Sequence, residues 1–179
     1  MCGIIYINSQ SKQPAALLNT LESLIRHRGQ DNTGVCVREG DSFQLIKAPK
    51  LPPCQDYLSD WLEAGVGVRY ATVGVDETKN YTPSVFEGCV NNIDLTPSLD
   101  PDDSVVVFLN GEARTNWVDS FLESKGYSFK ASNDTARLAG LIKYQLDKGE
   151  GLLDSVKKTL AVTPGAYAIN VMSGDESVF

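Results

Sequence analysis

The sequence predicts an α+β fold in a single domain, and three observations carry that expectation. Strand-like and helix-like segments are both plentiful along the chain. They do not alternate strictly, as a doubly wound parallel sheet requires, so layered sheets and helices are expected instead. The 179 residues can bury one sizeable core, and the balance of 42% apolar and 22% charged residues is that of an ordinary globular protein.

The run from Gly3 through Ile7 makes residues 3–8 a buried strand, with a turn over 9–13. Pro14 suits the first turn of a helix. Leu17, Leu18, Leu21, Leu24 and Ile25 recur at helical spacing and predict a helix over about 14–27, which Gly29 ends as a C-terminal stop. Val35, Val37 and the stretch 42–47 flank Glu39-Gly40-Asp41, a hairpin pattern. Pro49, Pro52 and Pro53 mark a loop. Tyr57, Leu58, Trp61 and Leu62 then suggest a short helix over about 55–63, and 66–71 reads as another buried strand.

Short β pieces are expected near 84–90 and a polar loop over 91–103. Val105, Val106, Val107 and Phe108 make 104–109 a buried strand. Thr115 is a good N-cap for a helix carrying Trp117, Val118, Phe121 and Leu122, which Gly126 ends. Asn133 or Asp134 caps a helix with Leu138, Leu141, Ile142 and Leu146 on one face. A further helix over 152–160 turns Leu153, Val156 and Leu160 inward. Strands follow over 165–172 and from 177.

A net charge of −7 repels phosphate backbones and argues against nucleic-acid binding, leaving a small molecule or another protein as partner. The apolar start is four or five residues long, with no basic stretch before it. That is too short for a signal peptide or a membrane span, so a reducing, cytoplasmic setting without a membrane partner is expected. Cys36, Cys54 and Cys89 read as buried or half-buried thiols without chemistry, not as a disulfide framework. A single histidine, His27, excludes multi-histidine metal sites, and the absence of paired C-x-x-C argues against zinc. No metal and no cofactor are expected.

Chemistry enters at Met1-Cys2-Gly3. Removal of Met1 leaves Cys2 with a free α-amine, which titrates near about 8 beside a thiol near about 8.5. One residue then holds both nucleophile and base, an established variant of the nucleophile–base arrangement. Other stretches also have compositions that core-building does not require. They are Arg26-His27-Arg28-Gly29-Gln30-Asp31-Asn32-Thr33-Gly34, Gly67-Val68-Arg69-Tyr70-Ala71-Thr72, Phe108-Leu109-Asn110-Gly111, and Asp134 at a helix start. Each has a plainer reading by itself. Asn110-Gly111 is a turn after a strand, Arg69 an edge-strand ion pair, Asp134 an N-cap, and Arg28 a helix C-terminal cation.

Taken in order and spacing, M-C-G-I, H-R-G-Q-D, G-V-R-Y, N-G and D-T resemble the glutaminase domain of class II glutamine amidotransferases, the N-terminal-nucleophile branch of amide hydrolases. The likeness covers almost the whole chain. H-R-G-Q-D with V-R-Y is more similar to the amidophosphoribosyltransferase type than to the hexosamine synthase or asparagine synthetase types. The resemblance implies a four-layer αββα sandwich of two mainly antiparallel sheets, with residues 1–179 as one type 2 amidotransferase domain.

It implies that Cys2 attacks the glutamine side-chain amide, that its amine acts as base and then acid, and that Asn110 and Gly111 stabilise the oxyanion. It places Arg69 on the substrate α-carboxylate, Asp134 on the α-ammonium, Tyr70 among the substrate contacts and Arg28 in support of the nucleophile. Asp31 and Gly34 shape the turn, and His27 is structural. Ammonia would pass to a synthase domain or subunit. The chain departs from the family at Asn80-Tyr81-Thr82-Pro83, where N-A-Q-P is frequent, and stops at Phe179 where family domains usually continue. An excised or incomplete domain, or a short stand-alone subunit, is therefore expected. Two other readings stand beside it: an N-terminal-nucleophile hydrolase of another amide, and a silent glutamine-binding or scaffold subunit.

Overall fold

The computed structural model describes residues 2–70 and 78–179. Met1, and with it the question of its removal, lies outside the described residues, as do Ala71 and Thr72. One antiparallel sheet contains β1 (Gly3–Gln13), β2 (Asn32–Glu39), β3 (Ser42–Ala48), β4 (Trp61–Arg69) and β7 (Ser98–Leu99), in the order β1-β4-β2-β3-β7. The second contains β5 (Ser84–Glu87), β6 (Val90–Asn92), β8 (Ser104–Ala113), β9 (Gly165–Ser173) and β10 (Glu176–Val178), in the order β10-β9-β8-β5-β6. Helix α1 (Ala16–Ile25) covers the first sheet. Helices α2 (Val118–Glu123), α3 (Asp134–Leu146) and α4 (Leu152–Val162) cover the second.

The apolar residues explain the layers. Successive strand side chains point to opposite faces. On β8, Val105, Val107 and Leu109 pack with Leu138, Leu141 and Ile142 of α3, whereas Val106 and Phe108 pack with Phe43, Leu45 and Met172 between the sheets. Both faces of the strand are buried, which is why its sequence is continuously apolar. Val35, Val37 and Val66 form a third core with Leu18 and Ala15 under α1. Three cores separate four layers, so the expected αββα sandwich is borne out. Gly65 and Gly67 let the sheets close: an added Cβ would stand 2.5 and 2.7 Å from the Phe108 ring.

Several local expectations are corrected. The helix over 55–63 is instead a 3-10 turn, Cys54–Asp56, followed by the start of β4. Trp61 and Leu58 are buried, while Tyr57 and Leu62 are exposed. The turn over 9–13 is a continuation of β1, with a register irregularity after Asn8. The loop over 91–103 contains the end of β6 and all of β7. Leu24 and Leu153 point to solvent, and Cys89 is exposed. Thr115 contributes its carbonyl, not its side chain, to the start of α2, accepting from Val118 N at 3.0 Å. Gly29 ends not α1 but the 3-10 turn Arg26–Arg28 that follows it, and does so in extended backbone (φ −161°), not a left-handed one. What demands glycine there is space, because a Cβ would lie 2.6 Å from the Arg69 carbonyl carbon. Among the described residues no helix is long and apolar enough to cross a membrane.

Candidate active site

Cys2 stands just before β1, whose Gly3 pairs with Val68 of β4. Strand alternation puts it on the side of Ile4, which faces the space between the sheets. Its Sγ is 3.9 Å from the Tyr70 carbonyl oxygen, a long contact even for a thiol donor. Arg28 arrives on a 3-10 turn, Arg26–Arg28, that follows α1. Its Nε donates to the Cys2 carbonyl at 3.0 Å, so the guanidinium holds the Cys2 backbone. Of the other thiols, burial pushes Cys54 up to about 11 and Cys36 higher still, which leaves both inert.

Arg69 ends β4 and lies beside Asn32 of β2. Its Nη1 donates to the Asn80 carbonyl at 2.9 Å. Asp134 opens α3. Asn133, not Asp134, is the N-cap: it has extended backbone, and its Oδ1 accepts from Ala136 N at 2.8 Å. The Asp134 carboxylate instead accepts from Ala113 N at 3.0 Å and from Thr135 N at 2.9 Å, which ties the helix start to β8.

Asn110 and Gly111 lie inside β8, opposite Ala168 and Tyr167 of β9, and not in a turn after the strand. Gly111 has φ +138°, and a Cβ on it would sit 2.2 Å from the Ala166 carbonyl oxygen. Only glycine fits that backbone. The Asn110 amide donates to nothing among the described residues.

One cleft is lined by Cys2, Arg69, Tyr70, Gly111 and Asp134 together. An adjoining hollow shares Cys2, Tyr70 and Gly111 with it and adds Asn110. Arg28 lines neither and touches Cys2 through its carbonyl. His27 is exposed on the 3-10 turn. Sequence reasoning did not single out Asn80, Ser84, Glu112 or Asn133 as lining residues. The departure at 80–83 marked the Asn80 segment, whereas Glu112 followed Asn110-Gly111 without any pattern. Among the described residues no group of three or more histidine, cysteine, aspartate or glutamate side chains could hold a metal ion.

No protein-family model matches the chain. It is 31% identical over 182 residues to glutamine–fructose-6-phosphate aminotransferase [isomerizing] of Clostridium perfringens, an alignment covering 98% of this chain and 27% of the relative. It is 27% identical over 190 residues to amidophosphoribosyltransferase of Methanocaldococcus jannaschii, covering 99% of this chain and 37% of the relative. The fold superposes on glutamine phosphoribosylpyrophosphate amidotransferase from B. subtilis complexed with ADP and GMP, with a TM-score of 0.71 and 26% identity, covering 97% of this chain and 35% of that one. It superposes also on a structure described as the allosteric regulatory enzyme of purine biosynthesis, with a TM-score of 0.74 and 25% identity. The chain thus spans 27% of the first of these relatives and 35% of the first structure. By sequence and by fold, the chain is similar to glutamine amidotransferases over almost its whole length, consistent with a class II, N-terminal-nucleophile amidotransferase domain.

Proposed function

We propose that residues 1–179 form a single type 2 amidotransferase domain that hydrolyses the side-chain amide of glutamine and supplies ammonia to a synthase domain or subunit in the cytoplasm. The observation that carries this reading is the composition of one cleft: a half-buried thiol, a guanidinium and a carboxylate line it together. A free α-amino acid offers the complementary set. Its carboxylate suits the planar fork of Arg69, its ammonium suits Asp134, and the side-chain carbonyl then reaches Cys2. Tyr70 lines the same cleft beside the thiol.

In this mechanism Met1 is absent and the α-amine of Cys2 takes the thiol proton. The thiolate adds to the amide carbon, and the oxyanion accepts from the Asn110 amide and the Gly111 N–H. Each such donor is worth on the order of 3 kcal/mol. The amide C–N bond then breaks, the nitrogen takes the proton held on the α-amine, and ammonia leaves. Water, deprotonated by the same amine, cleaves the γ-glutamyl thioester to glutamate and restores the thiol. Arg28 holds the Cys2 carbonyl throughout and keeps the nucleophile in register with the strand. The negative surface suits a protein or small-molecule partner more than a nucleic acid.

Intact mass identifies the N-terminal residue, and glutamate release from glutamine is then compared in wild type and Cys2→Ala. Release by a chain beginning at Cys2, abolished by the substitution, is the expected result. Release that survives Cys2→Ala removes the proposed nucleophile. Bound glutamine without release, even with the synthase partner present, leaves a binding subunit.

A further inference from the structure

We infer that Asn80 is a positioning residue that sets the distance between the two ends of the amino-acid clamp, and so makes the site selective for a substrate carrying an α-carboxylate. This rests on the glutamine reading above. Asn80 closes a short 3-10 turn, Thr78–Asn80, and is 1% exposed. Its carbonyl oxygen accepts from two donors at once, Arg69 Nη1 at 2.9 Å and Asn133 Nδ2 at 3.2 Å. A carbonyl has two lone pairs, so both bonds can be well formed.

The two donors belong to the two halves of the clamp. Arg69 carries the cation assigned to the carboxylate. Asn133 caps α3 and immediately precedes Asp134, the carboxylate assigned to the ammonium. Its own Oδ1 is engaged by Ala136 N at 2.8 Å and Ser84 Oγ at 3.2 Å, so the side chain has little freedom to follow a shift at Asn80.

The Asn80 side chain locks this carbonyl in place. Its Oδ1 accepts from Ser132 N at 2.9 Å, and its Nδ2 donates to Ser132 Oγ at 3.1 Å. The buried amide therefore bonds the segment leading into α3, while the backbone carbonyl of the same residue holds Arg69. Asn133 keeps its own bonds to Ala136 and Ser84, so loosening Asn80 displaces the Arg69 end of the clamp and leaves the Asp134 end in place. Asn80 lines the cleft, but its role is exercised through Arg69 and the α3 cap.

The test uses Asn80→Ala, which removes the side-chain bonds to Ser132 and keeps the carbonyl, and Ser132→Ala at an exposed position, which removes only the hydroxyl. Two substrates are compared: L-glutamine, and γ-aminobutyramide, which keeps the amide and the amine and lacks the α-carboxylate. With Asn80→Ala, KM for L-glutamine rises about tenfold while kcat stays within about twofold, and kcat/KM for γ-aminobutyramide stays within about twofold. Ser132→Ala shifts the same ratio in the same direction by a smaller factor, and it alone decides the matter if Asn80→Ala does not fold. An equal fall on both substrates, or an unchanged KM for L-glutamine in a folded variant, overturns the inference. If the wild type binds L-glutamine without releasing glutamate, hydrolysis fails separately. The same comparison is then read from calorimetric Kd values, where an unchanged Kd for L-glutamine in the variants overturns the positioning role. A wild type that does not bind L-glutamine overturns both.

Discussion

Alanine at Gly111 tests the oxyanion geometry through the backbone alone. Gly111 has φ +138°, and a Cβ there meets the Ala166 carbonyl oxygen at 2.2 Å and the Tyr167 Cα at 2.6 Å. The backbone conformation alone costs a side-chain-bearing residue about 1–3 kcal/mol. The overlap is with the backbone of β9, which cannot swing aside as a flexible side chain would. Relief therefore needs β8 and β9 to part by about 1 Å, which carries the Gly111 N–H and the Asn110 amide away from the oxyanion. Loss of one such donor lowers kcat by about 10²–10³-fold.

Gly40→Ala is the control. Gly40 also has positive φ, +52°, but nothing lies within 4 Å of the added Cβ. Strain alone, about 1–2 kcal/mol, applies there. In a chain of this size each kcal/mol lowers Tm by about 2–4 °C. Thermal unfolding by circular dichroism should place Gly111→Ala well below Gly40→Ala. Glutamate release should be near wild type in Gly40→Ala and at least about 100-fold lower in Gly111→Ala at a temperature where both are folded. A folded Gly111→Ala with wild-type turnover would refute the assignment of that N–H.

Other perturbations reach separate parts of the structure. Arg28→Ala frees the Cys2 carbonyl from its 3.0 Å bond, and kcat should fall about tenfold or more with KM little changed; an altered KM with unchanged kcat speaks against support of the nucleophile. Lys47 is 3% exposed, and burial lowers it from 10.5 to about 8, with Asp94 opposing the shift. Between those values the unfolded chain binds more protons, so the charged amine opposes folding fully below pH 8, and this cost is lifted as pH rises toward 10.5. Lys47→Met should therefore stabilise the protein at pH 7 by about 3 kcal/mol in urea unfolding, with the gain shrinking at pH 10; a gain independent of pH contradicts this. Glu63 accepts from Arg38 Nε at 2.5 Å, from Tyr6 OH at 2.8 Å and from Ser177 Oγ, joining the first sheet to β10. Glu63→Ala removes the carboxylate partner of Arg38, leaving the Gly174 and Glu176 carbonyls, and should cost about 3–5 kcal/mol in the same assay; a loss under about 1 kcal/mol would show that those carbonyls suffice to hold Arg38.

The parts of the fold legible in the sequence are those set by local periodicity. Val105 to Phe108 had to be a strand buried on both faces, and Leu138, Leu141 and Ile142 had to line a helix. The layering was not local. It depends on β1 pairing with β4 across some sixty residues and on β8 pairing with β9, and only the family resemblance supplied the αββα order. Tyr57, Leu58, Trp61 and Leu62 show how a period misleads. Leu58 and Trp61 are buried in one core but reach it from a loop and from a strand. Asn133 and Asp134 are both competent caps, and only the backbone angles decide between them. Cys2, Arg69 and Asp134 were legible through the family resemblance, which assigns them to one zwitterionic substrate; taken singly, each has a plainer reading. Asn80 acts through its carbonyl, which every residue possesses, so no residue type announced it.

The proposed mechanism requires Cys2, as the N-terminal residue, to form a γ-glutamyl thioester. Hydroxylamine tests it by attacking the thioester carbonyl in place of water, expelling the Cys2 thiol and leaving γ-glutamyl hydroxamate. L-Glutamine and hydroxylamine should yield hydroxamate with chain that begins at Cys2. They should yield none with Cys2→Ala, and none with chain on which Met1 is retained and the α-amine is locked in a peptide bond. Hydroxamate from Cys2→Ala would contradict the nucleophile, and hydroxamate from the Met1-bearing chain would contradict the α-amine as its base.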